Sequence, residues 1–562
     1  MLPAYGFFRA FLRFFYEARH RLGYAAFCSR KQTPSGPGMR LPAGRYMRLS
    51  RTKHDSVRVA CLGLLFVCAT GVVMAQEPVE AKEVANNNTI ASVVTETNNG
   101  TMYYVPGLSG EIQKQDTPAA ATTGDGLQGN FLERLGGFYK EDWTGKLPSS
   151  PASTRRALDA PLDSTPFPSS DWGYGGSSPI GVPDGNVYPL MTALKMENHR
   201  TKVYGWVAGS VNASTSSNNN FPLSYDIFPN RVELNQAVVY VERLPDTVQK
   251  THFDWGYHLT AFYGIDYRFT TAKDYFSQQL LQKNRRYGFD PVLEYADLYF
   301  PVKEGLNIRI GRFLSVPGIE AQLAPNNYNM THSLLYTIDP FTDTGAIASL
   351  KLTKQWMVQA GISAGHDVAP WSDDRKPSAI VCLDYSTVSN HDNFYLCANG
   401  INDGKYAYNN LQDYDGTWYH KFNAKWHMAT EAWYMYENNV PNVAGNVANP
   451  VSTELGANGA FCAAGELRCT APEYAVVNYV NREFNSKFFA GFRSDLLDDK
   501  KGQRTGIPGK YTENTLYATK YIGSTVMLRP ELRFDHSWDN RGYDNGTARN
   551  QFFFGMDLIY KF

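Results

Sequence analysis

The chain has 562 residues, 43% of them hydrophobic and 14% aromatic, and its mean hydropathy of −0.39 is too low for a bundle of transmembrane helices. The formal net charge is zero, but residues 1–75 carry 12 Lys and Arg against 2 Asp and Glu, which leaves 42 basic and 52 acidic residues in the remainder. An acidic body of this kind argues against a nucleic-acid partner.

The first recognisable segment is an export signal. Residues 47–75 begin with a basic stretch, continue with an uncharged run at 59–73 and end on Ala75. This order predicts a secretory signal peptide that is cleaved after Ala75. A membrane anchor is the weaker interpretation, because roughly 15 residues cannot span the ~30 Å of bilayer hydrocarbon.

Two further segments flank this signal. Residues 1–46 are basic and aromatic, and two explanations stay open: an over-extended start with Met39 or Met47 as the true initiator, or a long presequence. Residues 76–200 are rich in Asn, Thr, Ser, Pro and Gly and predict a mostly disordered periplasmic extension. Within it, residues 127–139 could form one short amphipathic helix, although two adjacent glycines weaken that prediction.

From about residue 201 onward, apolar and polar side chains alternate persistently. Residues 255–269 place aromatic and aliphatic side chains on one face and mostly polar ones on the other, with Phe262 the exception. Residues 524–536 repeat the pattern with four charged residues on the polar face. A period of two residues predicts β-strands, and aromatic residues at both ends of an apolar face are typical of a transmembrane barrel.

Sixteen such segments predict an all-β fold, an antiparallel up-and-down transmembrane β-barrel over residues 201–562, with 14–18 strands as the range. The connections are long after odd strands and mostly very short after even strands, as in barrels with long extracellular loops and short periplasmic turns. A soluble β-sandwich has no reason to alternate in this way. The predicted strands are 201–213, 231–243, 254–269, 291–302, 305–313, 344–353, 356–366, 378–386, 393–400, 413–422, 426–437, 473–484, 487–497, 512–522, 524–536 and 549–562.

The final strand carries a further signal. Counted back from Phe562, every second residue as far as Phe552 is apolar or aromatic. The pattern resembles the closing strand of bacterial outer-membrane barrels, and this resemblance implies that Phe562 and Tyr560 are read by the outer-membrane barrel assembly machinery. Because an even number of strands puts both barrel ends in the periplasm, residues 549–562 are predicted to pair with 201–213.

Four cysteines follow the signal peptide, and an even number in an exported chain favours disulfides over free thiols. Cys382 and Cys397 are equidistant from the turn at 387–392, so we predict an opposed pair on one hairpin. Cys462 and Cys469 lie in the longest outer loop and could staple it. Their spacing predicts no metal site, since no C-x-x-C pair or suitably spaced histidine is present.

One catalytic motif matches by its letters alone. Residues 361–365 read Gly-Ile-Ser-Ala-Gly and precede His366. A nucleophile elbow requires a strand, a sharp turn and a helix, whereas these residues lie inside an alternating strand. We therefore predict neither an enzyme nor a cofactor, and keep a barrel-borne outer-membrane hydrolase as a less favoured alternative.

Charged residues at inward positions carry the transport hypothesis. A barrel of sixteen strands is too wide for its own side chains to fill, so these charges predict a polar channel wall; pairing among themselves in a closed lumen is the alternative. We expect the arginines to attract anions and the acids to balance the field, so that replacing Arg529 and Arg533 by Ala shifts selectivity towards cations. The pore-lining candidates are Arg309, Arg493, Arg529, Arg533, Asp266, Asp297, Glu531 and Asp535.

The long connection at residues 314–343 is the candidate constriction. It contains apolar stretches that a solvated outer loop would not need. Folded into the lumen, it would bring Glu320, Asp339 and Asp343 opposite the arginines. An external loop without lumen contact is the alternative.

Several segments resemble the OmpL-like β-barrel porins: PVLEYADLYFPV, LNIRIGRFLSVPG and SAIVCLDYST, within a likeness that covers about residues 155–562. The resemblance implies a bacterial outer-membrane pore, surrounded by outer-membrane lipid, that passes small hydrophilic solutes or ions by passive diffusion. Its likeness to sixteen-stranded porins also suggests a homotrimer. The alternative from another class is a surface structural or adhesion barrel with a blocked lumen.

Overall fold

The computed structural model describes residues 128–146, 180–181, 187–282, 286–315, 318–389, 391–404, 410–423, 425–444, 459–485 and 487–562. The predicted signal peptide, the segment 1–46 and most of the extension at 76–200 lie outside the described residues. Among the helices of the described part, none combines the length and apolar character that crossing a bilayer would require.

Seventeen strands form one antiparallel sheet that closes on itself, because the last strand pairs with the first. The fourth and fifth strands both pair with the third, as successive segments of one wall strand, so the barrel has the predicted sixteen positions. The strands are β1 Thr201–Ser214, β2 Val232–Arg243, β3 Asp254–Gly264, β4 Gly288–Asp290, β5 Glu294–Phe300, β6 Gly305–Leu314, β7 Thr342–Lys351, β8 Trp356–His366, β9 Ser378–Ser386, β10 Asp392–Ile401, β11 Gln412–Lys421, β12 Trp426–Pro441, β13 Arg468–Asn485, β14 Phe488–Asp499, β15 Gly509–Ile522, β16 Val526–Ser537 and β17 Asn550–Lys561.

The seam between the first and last strands is confirmed. Val207 pairs with Tyr560 and Ala213 with Phe554 in the β1–β17 register. At its end, the Phe562 amide donates to the Gly205 carbonyl at 2.9 Å. A Cβ at Gly205 would come within 1.9 Å of the Val238 carbonyl oxygen, so only glycine fits this position.

Alternation along each strand separates the two faces of the wall. In β3, Trp255, Leu259 and Tyr263 are 46%, 51% and 46% exposed on the outer face, whereas His258 is fully buried on the inner one. Successive strand side chains point to opposite faces. The apolar residues therefore form the outer surface and the polar residues turn inward, as predicted.

The prediction that the third strand continues to residue 269 is wrong. β3 ends at Gly264, and Ile265–Thr270 forms a 3-10 helix that turns into the barrel. Phe269, predicted to face outward, is instead buried inside, with its ring centroid 4.7 Å from that of Tyr225. Alternation alone cannot distinguish an apolar side chain that faces lipid from one that packs in the lumen.

In the described part of the chain, four α-helices accompany the barrel: α1 Phe131–Trp143, α2 Pro189–Ala193, α3 Phe276–Gln282 and α4 Leu334–Ile338. The first falls near the helix predicted at 127–139. It begins at a capping box in which the Asn130 side chain accepts from the Glu133 amide at 3.1 Å and Glu133 accepts from the Asn130 amide at 2.8 Å. This cap explains why the helix tolerates two interior glycines.

Candidate pore site

The described residues of the connection between β6 and β7, 315 and 318–341, lie inside the barrel and are called the inner loop below. Every residue from 321 to 341 is buried. The Tyr328 hydroxyl lies 3.1 Å from Nε2 of His427 on β12, and the Leu334 amide donates to Asp495 on β14 at 2.6 Å. The inner loop therefore crosses the lumen to the opposite wall.

Local hydrogen bonds shape the inner loop before it meets the wall. The Asn327 side chain accepts from the Ala321 amide at 2.8 Å and donates to the Ala321 carbonyl at 2.7 Å. Ser333 caps α4 by accepting from the Tyr336 amide at 3.0 Å. These side-chain contacts satisfy backbone groups that would otherwise be buried without partners.

Three predicted pore residues, Arg493, Arg529 and Arg533, form what we call the arginine wall. Each guanidinium pairs with a carboxylate and also donates to a carbonyl of the inner loop. Arg493 pairs with Glu513 at 2.9 Å and donates to the Thr331 carbonyl at 2.6 Å.

Arg529 and Arg533 repeat the arrangement two strands further on, on β16. Arg529 donates to Asp557 at 2.9 Å and to the Ala324 carbonyl at 2.8 Å. Arg533 pairs with Asp535 at 2.8 Å and donates to the His332 carbonyl. Because these side chains are at most 1% exposed, their charges are neutralised locally and serve to hold the inner loop.

Arg309 and Asp297 face inward but do not join the arginine wall. Two guanidinium nitrogens of Arg309 donate to the two Asp297 oxygens, both at 2.9 Å. The guanidinium also lies 3.6 Å from the Tyr295 ring centroid. This pair links β5 to β6, and the Asn307 side chain also donates to Asp297 at 3.1 Å.

The remaining predicted acids, Glu531, Asp266 and Asp535, are all buried inside the barrel and have different partners. Glu531 accepts from the Asn329 side chain and the Thr331 amide, both at 3.0 Å, so it anchors the inner loop. Asp266 lies in the 3-10 helix and accepts from Gln236 at 3.2 Å. Asp535 belongs to the arginine wall through its pair with Arg533.

The three constriction candidates are all inside the barrel. Glu320 accepts from the Tyr479 hydroxyl at 2.6 Å and lies 3.6 Å from Arg493. Asp339 follows α4, and burial, with the carboxylates of Asp413 and Glu431, raises the pKa of its carboxyl well above the usual value. Asp343 belongs to β7 rather than to the loop and lies 3.3 Å from His366 Nδ1.

A second wall, called the acidic strip below, was missed by sequence reasoning. Its five members share inward positions on β11, β12 and β13 and are at most 3% exposed: Asp413, Asp415, Glu431, Glu437 and Glu473. The sequence does carry a signal for them: Asp413 and Asp415 on β11, and Glu431 and Glu437 on β12, are separated by an even number of residues and therefore share a face of their strand.

Charge on the acidic strip is not cancelled as it is on the arginine wall. Among the described residues, none of its carboxylates forms an ion pair, and both Asp415 oxygens have no hydrogen-bond partner. Glu431 accepts from the Ile319 amide at 2.7 Å, and Glu437 accepts from Gln503 at 3.2 Å. Arg504 donates to the Ile338 carbonyl at 2.9 Å instead of pairing with the strip.

The four cysteines are joined in the two predicted pairs. Cys382 and Cys397 are directly opposed in the β9–β10 register and are joined by a disulfide with the Cα atoms 4.1 Å apart. Cys462, in the outer connection between β12 and β13, is joined by a disulfide to Cys469, which lies at the start of β13 rather than in the loop as predicted, with the Cα atoms 5.7 Å apart.

Residues 361–365, which match the catalytic motif, lie within β8. Ile362 is 56% exposed on the outer face, and Ser363 is paired in the ladder with Gly345. The prediction that the motif belongs to a regular strand is therefore confirmed, and the serine lacks the sharp turn of a nucleophile elbow.

Comparisons with known proteins can now be set beside this geometry. Residues 200–562 match the family model described as "Putative beta-barrel porin-2, OmpL-like". A search of curated proteins finds no match.

Solved structures with related barrels include the outer membrane channel DcaP of Acinetobacter baumannii, at 10% identity and a TM-score of 0.41, covering 64% of this chain and 97% of that chain. The anion-selective porin from Comamonas acidovorans has 9% identity and a TM-score of 0.40, with 64% and 99% covered. Salmonella typhi OmpF in complex with daunomycin has 11% identity and a TM-score of 0.41, with 64% and 97% covered.

The family match extends over the whole barrel, from the first strand to the terminal Phe562. It agrees with the closed antiparallel wall, the outward apolar face and the inward polar face described above. The chain therefore belongs to the OmpL-like β-barrel porin family and is an outer-membrane porin for the passive diffusion of small hydrophilic solutes or ions.

Proposed function

We propose that this porin prefers cations and that the inner loop and the acidic strip together form its selective constriction. The observation that carries the proposal is the difference in pairing between the two walls. Arg493, Arg529 and Arg533 each form an ion pair with a carboxylate, whereas the carboxylates of the acidic strip form none among the described residues.

Several like charges close together favour a mobile counter-ion. Asp413, Asp415 and Glu431 face one another and Asp339 of the inner loop, and neighbouring carboxylates oppose one another's ionisation. A cation that passes between the acidic strip and the inner loop reduces the repulsion among the carboxylates, whereas an anion is itself repelled by them. Rings of Asp and Glu select cations in this way in other pores.

The test is the reversal potential of purified protein in planar bilayers under a salt gradient. The triple variant Asp413→Asn, Asp415→Asn and Glu431→Gln should lose most of the cation preference. Asp498→Asn removes a charge at the outer end of β14, where Asp498 pairs with Lys500, and is the matched control. An anion-selective wild-type protein, or a triple variant with unchanged selectivity, would contradict the proposal.

The blocked-lumen alternative rests on one specific observation, the burial of all residues from 321 to 341. A surface structural or adhesion barrel needs no open passage. A correctly folded barrel without conducting steps in the same bilayers would support it, whereas stable steps would exclude it.

We further propose that Tyr560 and Phe562 are the signal for the barrel assembly machinery. The support is their position on the closing strand, beside Gly205 of β1. Phe562→Ala should lower the amount of folded barrel in the outer membrane, and Phe552→Ala, at the other end of β17, is the matched control. Equal amounts for both variants would contradict this role.

A homotrimer is the proposed assembly. Supporting it are small outward side chains, Ala346, Ala348 and Ala360, on the neighbouring strands β7 and β8, which would let barrels approach closely. Native mass spectrometry of the detergent-extracted protein tests this, and a monomer alone would contradict it.

A further inference from the structure

The chain that precedes β1 enters the periplasmic end of the barrel. We call residues 180–181 and 187–196 the mouth segment. Lys351, at the periplasmic end of β7, donates to the Ile180 carbonyl at 3.1 Å, and the Gly181 amide donates to Thr247 in a periplasmic turn at 3.2 Å. Ile180 itself is fully buried.

The second part of the mouth segment, which contains α2, packs against β1. Met191 is 1% exposed, and its sulfur accepts from the Val203 amide at 3.3 Å. The Tyr188 ring packs edge-on against Tyr204, with ring centroids 5.0 Å apart. Because Tyr204 is an inward, fully buried residue of β1, this contact lies inside the barrel.

A separate set of contacts holds α1 on the periplasmic rim. The Asp142 carboxylate accepts from the Ser524 amide at 2.9 Å and from the Thr525 amide at 3.2 Å in the turn between β15 and β16. The Tyr139 hydroxyl donates to the Lys561 carbonyl at 3.2 Å. Arg134 links this helix to α2 by donating to the Ala193 carbonyl at 2.7 Å.

We propose that the mouth segment is a periplasmic plug, tethered by α1. It closes the periplasmic end of the barrel and moves out of the opening to admit solute. The two parts differ in how firmly they are held. α1 has a capping box and a carboxylate that binds the turn, whereas α2 has five residues and no side-chain cap. Helices this short are marginal without packing, so α2 is the part that opens.

The test measures access to the mouth rather than current, which keeps it independent of the inner loop and of the proposed selectivity. Tyr204→Cys in the full chain is the reporter, because its side chain lies under Tyr188. The protein is reconstituted in liposomes of known orientation, and a charged thiosulfonate reagent is added on the periplasmic side. The measured quantity is the rate of labelling.

Met191→Ala should raise the labelling rate about tenfold, because it removes a buried contact of the plug. Leu194→Ala changes a residue of the same segment that is 43% exposed and should leave the rate unchanged. Asp142→Asn, which weakens the tether at the rim, is a second variant should Met191→Ala fail to fold, and it should also raise the rate. The heat-modifiable shift of folded barrels on gels verifies folding.

Two results would overturn the proposal. Equally fast labelling in the reporter and all variants would mean that the mouth is always open. Equally slow labelling in folded Met191→Ala and Asp142→Asn would mean that the segment does not govern access.

Discussion

The arginine wall and the acidic strip face the same lumen, yet they differ in ion pairing: the charges of the first are paired and those of the second are not. On β14 and β16, every arginine is paired and also bound to the inner loop, so three cations contribute little net field. On β11 to β13, five buried carboxylates form no ion pair among the described residues, although the guanidinium of Arg504 lies near enough to attract Glu437 and Glu473. The paired charges hold the inner loop against the wall, and the carboxylates without an ion pair are the ones to which we assign the proposed selectivity.

The largest effect is expected from breaking the arginine wall. Arg493→Met leaves the buried Glu513 with only the more distant Arg533, at 4.0 Å, and releases the Thr331 carbonyl, so we expect a loss of about 3 kcal/mol of unfolding free energy in urea titrations of the folded barrel. Adding Glu513→Leu should restore much of it. Arg482→Met, on an exposed arginine, is the control. An equal loss in both single variants would remove the distinction.

Reversing one charge on the acidic strip comes next. Asp415→Lys should lower the cation-to-anion permeability ratio roughly fivefold, since about 1 kcal/mol separates the two ions at one nearby charge. Asp415→Asn should give a smaller shift of the same sign. Bilayer reversal potentials measure both, and a larger shift from Asn than from Lys would contradict an electrostatic cause.

Lowering the pH tests the difference between the arginine wall and the acidic strip without any mutation. Protonation removes the charge of a carboxyl group, whereas arginine stays charged at any accessible pH. The cation preference of the wild-type porin should therefore fall as the pH is lowered from 7 to about 4. The triple variant of the strip should show a much flatter profile, and parallel profiles would locate the titrating groups elsewhere.

The smallest effect is expected at Arg309, which holds Asp297 of the neighbouring strand through two hydrogen bonds of 2.9 Å. Arg309→Lys keeps the charge and loses the two-pronged geometry, at a cost of about 1 kcal/mol. Single-channel conductance should stay unchanged, whereas Arg529→Lys should alter it by loosening the inner loop. A change in conductance for Arg309→Lys alone would reverse this ranking.

Much of the fold could be predicted because the outer face of each strand contacts lipid and must therefore be apolar. The closing pair of residues 549–562 with 201–213 followed from an even strand number and the terminal pattern, and β1 and β17 pair accordingly. The error at β3 arose because Tyr267 and Phe269 continue the apolar pattern while packing inside the barrel. The candidate site was predicted less well, since the sequence shows Arg493 and Asp415 only as charged residues on inward positions and does not show which of them has an ion-pair partner.

The sequence by itself determined a closed β-barrel with one apolar face, because a period of two residues commits every second side chain to lipid wherever the strand lies. It also placed Arg493, Arg529 and Arg533 on the inward face, where they are buried. Only the tertiary structure decided which inward charges are cancelled, because pairing depends on contacts between strands and the inner loop that are distant in sequence. Arg529 and Ala324 meet across 205 positions, and no local pattern records that contact.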